Sequence, residues 1–150
     1  MTLQQKVLKS ILVVSGLFLM IALAAILLPT STMAQAHQWL GLGEFPDRPI
    51  TRYLARSTSL MYGVHGIMMF YTGLTIREHW RFVPIFGWLH VLTGVSVFLI
   101  DFFAPMPLYW ILLEGPPVAC LGILIIVLAN RAGSFTATPT TREEKTPDSI

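Results

Sequence analysis

Four apolar stretches divide the chain, at residues 11–28, 54–76, 83–103 and 108–129. About 18 residues rising roughly 1.5 Å each nearly match a hydrocarbon core of about 30 Å, so even the shortest stretch reaches across a bilayer. Charges are excluded from them: none lies between Lys9 and Glu44, and only Asp101 and Glu114 lie between Arg81 and Arg131. The pattern predicts an all-α polytopic membrane protein. Its transmembrane domain is a four-helix antiparallel bundle over residues 1–131, with an external loop at 29–53 and a disordered Ser/Thr/Pro-rich cytoplasmic tail at 132–150.

The first stretch follows Lys6 and Lys9 and stops at Pro29. A cleavable signal peptide ending at Ala34-Gln35-Ala36 is the alternative to a span here. The apolar run exceeds the roughly 7–15 residues of a signal peptide, so the reading is a retained anchor. Residues 37–49 lack helical or strand periodicity and read as a compact loop, with Trp39, Leu40, Leu42 and Phe45 at headgroup depth. Asp47 is the expected cap of the next helix, with Pro49 in its first turn, where an amide would be unpaired in any case. Arg52 and Arg56 then lie in the interface, where both can snorkel.

Small residues mark the faces that meet other helices. In the second span Ser59, Gly63, Gly66 and Gly73 share one face, so a neighbouring backbone can come close. His65 lies elsewhere on the circumference, near Thr58, Tyr62, Met69 and Thr72. In the third span Gly87, His90, Gly94, Val97 and Asp101 form one stripe, because at about 100° per residue Asp101 lies only roughly 20° around the axis from His90. That stripe is expected to face protein. The charged connection Arg77–Arg81 is short, which predicts that spans two and three form a helical hairpin. The fourth span is interrupted by Glu114-Gly115-Pro116-Pro117, where two prolines force a kink or a fresh start.

Basic residues orient the bundle. With the N-terminus inside, Lys6, Lys9, Arg77, Arg81, Arg131, Arg142 and Lys145 are cytoplasmic, and only Arg48, Arg52 and Arg56 are outside, so both termini are expected in the cytoplasm. Trp39, Tyr53, Tyr109 and Trp110 then mark the outer interface, and Trp80 and Phe82 the inner one. Composition agrees: 54% of residues are hydrophobic and 12% charged, against about 25% charged in soluble domains. A net charge of +2 without a basic run gives no reason to expect nucleic acid as a partner. The expected partners are the lipid bilayer and a membrane protein or a second copy of the chain. The single cysteine, Cys120, cannot form an internal disulfide and reads as a small buried hydrophobe.

Over residues 37–57 the chain reads His-Gln-Trp-Leu-Gly-Leu-Gly, then Pro-Asp-Arg-Pro-Ile and Tyr-Leu-Ala-Arg-Ser. This pattern resembles a group of small, uncharacterised bacterial four-span proteins, and the similarity continues through Asp101, Met106-Pro107 and Glu114-Gly115-Pro116. The resemblance implies a bacterial inner-membrane four-helix fold and no activity.

Two constellations carry possible chemistry. The first is an outer cluster of Arg52, Arg56, Asp101 and Glu114. Ionisable groups at depth are expensive unless paired or wet, so this cluster reads as a structural ion pair or as an outward-facing polar pocket beside the helix break at Gly115, Pro116 and Pro117. The second is His65 with His90. Counting roughly 1.5 Å per residue, they lie about 16 Å and 10 Å above the cytoplasmic boundary, about one turn apart. They read as histidines hydrogen-bonded between helices, with axial ligation of a haem b as the alternative. Met61, Met68 and Met69 read as flexible packing rather than copper ligands. No zinc spacing, phosphate-binding glycine loop or nucleophile with an oriented base is present. The function expected is therefore a non-enzymatic structural, accessory or assembly component with no cofactor. A small transporter or channel using Asp101 and Glu114 is the alternative, and a bis-histidine haem protein the second.

Overall fold

A computed structural model describes residues 1–104 and 106–133, and all regular structure among them is helical. The tail expected to be disordered lies, from residue 134, outside the described residues. Helix α1 (Leu3–Met20) opens with a capping box, in which the Thr2 hydroxyl accepts from the Gln5 amide and the Gln5 side chain accepts from the Thr2 amide. A single 3-10 turn at Ile21–Leu23 passes it into α2 (Ala24–Leu27). Pro29 then ends the run by holding Leu28 in extended backbone, as a following proline does to its neighbour. After it come α3 (Thr30–Trp39), α4 (Pro49–Leu74), α5 (Phe82–Phe103), α6 (Leu108–Leu113) and α7 (Gly115–Ala132).

Three of these units are long and apolar enough to cross a membrane: Leu3–Leu27, Phe82–Phe103 and Leu108–Ala132. The fourth long helix, α4, has 26 residues, about 39 Å at 1.5 Å per residue, but its Thr, Ser, Tyr, Gly and His residues leave it less apolar. The surface of the apolar units is itself apolar: Phe18, Leu92, Leu113 and Phe103 are 74%, 65%, 73% and 78% exposed. Side chains of this kind in a contiguous belt require a solvent other than water.

The bundle is two close pairs. α1 lies antiparallel on α4, and α5 antiparallel on α7, and each pair meets through glycine. A Cβ on Gly66 would stand 2.7 Å from the Gly16 carbonyl oxygen, and one on Gly122 would stand 2.6 Å from that of Gly87. At Gly94 it would collide with the Ala119 amide and stand 2.6 Å from the Gly115 carbonyl oxygen. Backbones in direct contact are the packing mode available where lipid tails are as apolar as leucine and no hydrophobic drive remains between helices.

The small-residue faces read from sequence are thus interfaces, and the structure supplies the partners that the sequence left open. The backbones of α4 and α5, the expected hairpin, stay apart while side chains meet between them, and each helix takes its close backbone contact elsewhere. The seven-residue connection at 75–81 sets the helices side by side in the chain without deciding which faces meet. A compact apolar core fills one end of the bundle, where Leu8 and Leu12 of α1, Met69 of α4, Val83 and Phe86 of α5, and Ile125 and Ala129 of α7 are buried together with Ile76. This is the end that carries the α4–α5 connection.

Smaller corrections concern the other end. Residues 30–39, read as part of a loop, form α3, and the loop proper begins at Leu40. Gly41 and Gly43 take positive φ there (72° and 85°), where glycine alone is unstrained. The Tyr109 hydroxyl ties this loop to α6 by donating to the Leu40 carbonyl at 2.5 Å. Asp47 does not cap α4. Arg48 occupies the cap without a side-chain bond, and Asp47 turns instead to Arg52. Cys120, expected to be buried, is exposed, because α7 spends its inward face on Gly115, Gly122, Ile125 and Ala129.

The glycine contacts have a direct test. Gly94→Val should lower stability in detergent by on the order of 3 kcal/mol, the upper range for overpacking a filled interface, whereas Leu92→Ala on the exposed side of the same helix should change it little. Unfolding curves of the two variants check this.

Candidate ligand chamber

Above the apolar core the two helix pairs flank a half-open chamber of about 540 Å³, within the range of roughly 300–1,000 Å³ typical of small-molecule sites; Val14 and Phe18 at its mouth are exposed. All four long helical units contribute to it. α4 presents Thr58, Tyr62 and His65, which at spacings of four and three share one face; α5 presents His90, Thr93 and Val97. α1 adds Ser15 and Phe18, and the α6–α7 junction adds Glu114 and Pro117. The helix break puts Glu114 there. α7 starts at Gly115, and Pro116 and Pro117 occupy its first turn, where their missing amides leave Leu112 and Leu113 carbonyls without helical partners.

The floor of the chamber is the pair His65 and His90. Their ring centroids are 5.1 Å apart and tilted by 46°, and His65 also meets the Phe86 ring edge-on at 5.5 Å. The one-turn offset counted from the span boundaries is absorbed by the pairing of the helices. His90 is buried and its Nδ1 lies 2.8 Å from the Phe86 carbonyl oxygen. Since a carbonyl only accepts, Nδ1 carries the hydrogen, and in the neutral ring Nε2 is the free acceptor.

Axial ligation of one haem iron by this pair does not fit the geometry. Two imidazoles bound from opposite sides at about 2.0 Å per metal–nitrogen bond have centroids roughly 6 Å apart with the macrocycle between them, whereas these rings are in contact with each other. Among the described residues no group of three His, Cys, Asp or Glu side chains is arranged to hold a metal ion.

The outer cluster divides in two. Asp101 and Glu114 lie within electrostatic range of each other, and Tyr62 lies in the field of both. Arg52 and Arg56 lie elsewhere. The Arg52 guanidinium donates to Asp47 Oδ1 at 2.5 Å in a solvent-facing pair, and Arg56 reaches the Leu28 carbonyl oxygen at 3.5 Å. The reason is again the pairing of α4 with the α1–α2 unit, which draws Arg56 toward Leu28 and away from α5. Asp101 is 7% exposed and its Oδ2 is buried without a hydrogen-bond partner. Glu114 is held by the Trp110 side chain. The sequence reading placed Tyr62 beside His65 but gave it and Thr93 no role. The signal was available: Thr58, Tyr62 and His65 make a polar stripe on an otherwise apolar helix.

These positions reverse an expectation about stability. Were Asp101 the partner of a buried arginine, removing it would cost on the order of 3–5 kcal/mol. With an unpartnered oxygen in apolar surroundings, Asp101→Asn should leave the thermal midpoint in detergent unchanged or raise it, because desolvating a neutral amide costs less than desolvating a carboxylate. A large loss would show that a cation pairs with Asp101 in the membrane.

Comparison of the chain with family models, with curated proteins and with solved structures gives no match.

Proposed function

We propose that this chain is a non-enzymatic multi-pass protein of the bacterial inner membrane that holds a small molecule in its intramembrane chamber, the solute-handling role of a small transporter. One observation carries the reading. A bundle held together by packing alone loses helix-to-helix contacts wherever its helices stand apart, yet this one packs its lower end densely and leaves a half-open chamber of about 540 Å³ above it. A purely structural or accessory component would gain stability by filling that space. Ionisable groups inside a membrane domain are expensive and mark pathways and sites, and His65, His90 and Glu114 all line the chamber.

In this reading α4 is a fourth crossing, and both termini are cytoplasmic. Its 26 residues suffice for the thickness. Its glycine face is covered by α1, and its polar stripe faces the chamber rather than lipid, which explains how a less apolar helix can cross. α1 supplies Leu8 and Leu12 to the core, which supports a retained first span.

Two measurements test the proposal. In a Cys120→Ser background, Glu44→Cys should react with a membrane-impermeant maleimide in intact spheroplasts, and Glu78→Cys only after lysis; equal labelling of both would remove the four-crossing arrangement. Native mass spectrometry should find a small molecule retained by the wild-type protein and lost from Val97→Trp, whose indole obstructs the chamber. Two ligand-free spectra would return the protein to a structural role.

A further inference from the structure

The chamber is lined mostly by apolar side chains, with one carboxyl group, Glu114, and no lysine or arginine among them. Glu114 lines it, and Asp101 stands within electrostatic reach of Glu114 with a buried, unpartnered oxygen. Tyr62 lies in the field of both, and His90 keeps an acceptor nitrogen free once its Nδ1–H is given to Phe86. The two arginines nearest in sequence are committed to Asp47 and to the Leu28 carbonyl. Glu114 thus has no basic side chain in the lining to pair with when it is ionised.

The remaining walls restrict what can supply it. A bare metal ion needs several oxygen ligands converging at about 2.0–2.6 Å, whereas most of the lining is apolar, Val14, Phe18, Val97, Val118 and Leu121 among it. An anion would meet a carboxylate and no donor cation. A neutral apolar molecule would suit the walls and leave the carboxyl uncompensated. A molecule that is apolar over most of its surface and positively charged at one centre satisfies both. Phe18 and Tyr62 add aromatic faces, which attract cations further.

Resting on the small-molecule reading above, we propose that the chamber binds an amphipathic organic cation. Its charged centre lies against Glu114, and its apolar body lies against Phe18, Val97 and Leu121. His65 and His90 form the floor on which the body rests.

Tetraphenylphosphonium and tetraphenylborate, nearly identical in shape and opposite in charge, make the test. Titration of the full-length protein in detergent, with the chamber-obstructed Val97→Trp variant subtracted to remove partition into micelles, should show the phosphonium bound at least tenfold more tightly than the borate. Glu114→Gln should weaken phosphonium binding about tenfold or more and narrow the gap, while Glu114→Asp retains most of it. Should Glu114→Gln fail to fold, the comparison of the two ions on the wild-type protein decides alone. Borate binding as tight as the phosphonium would overturn the cationic ligand and leave the chamber a small-molecule site. Binding of neither ion above the Val97→Trp background would overturn the cationic ligand, and a ligand-free native mass spectrum of the wild type would then show that the small-molecule reading has failed with it.

Discussion

Backbone contact at glycine is the interaction on which the rest of this structure depends. In a medium as apolar as the side chains, helices gain by approaching until their main chains touch, and only residues without a Cβ allow it. Gly16 against Gly66 fastens α1 to α4, and Gly87 and Gly94 against Gly122 and Gly115 fasten α5 to α7. Larger side chains at these positions would hold each pair apart by the width of a methyl group or more. Each pair is accordingly a tight unit, and the freedom left to the molecule lies in how the two units meet.

They meet unequally along their length. At one end Leu8, Leu12, Met69, Val83, Phe86, Ile125 and Ala129 interlock into an apolar core. At the other, polar and ionisable side chains replace them, and the units stay apart around the chamber. The transition falls at Phe86, which belongs to the core on one side and touches His65 on the other. His90, one turn further on, bonds to the Phe86 carbonyl. The same residue therefore ends the packed half and begins the polar half. The helix break at Glu114 serves the second half, because Pro116 and Pro117 allow a new helix to start where a carboxylate faces inward.

Much of this was legible along the chain. The stripe Gly87, His90, Gly94 and Asp101 is buried, and the glycine face of α4 is an interface, because helical periodicity is a local property that places residues three and four apart on one side. His65 and His90 were expected to be hydrogen-bonded between helices; their rings meet, but the bond that His90 makes is to the Phe86 carbonyl of its own helix. The outer cluster was half legible: Asp101 and Glu114 lie within electrostatic range of each other, but Arg52 and Arg56 do not join them. Charge complementarity alone suggested an ion pair, and it carried no information about which way α4 turns.

Sequence by itself determined where helices lie, which of their faces are small, and which ionisable groups fall within apolar stretches, since each of these follows from composition over a few turns. Only the tertiary structure decided that α4 takes α1 as its close partner instead of its chain neighbour α5. That choice is non-local. A seven-residue connection constrains the ends of two helices, whereas the fit of one glycine face into another is settled among all four units at once. From it follow the displacement of Arg56 toward Leu28, the unpartnered oxygen of Asp101 and the open space between the pairs, none of which is written in any single stretch of the chain.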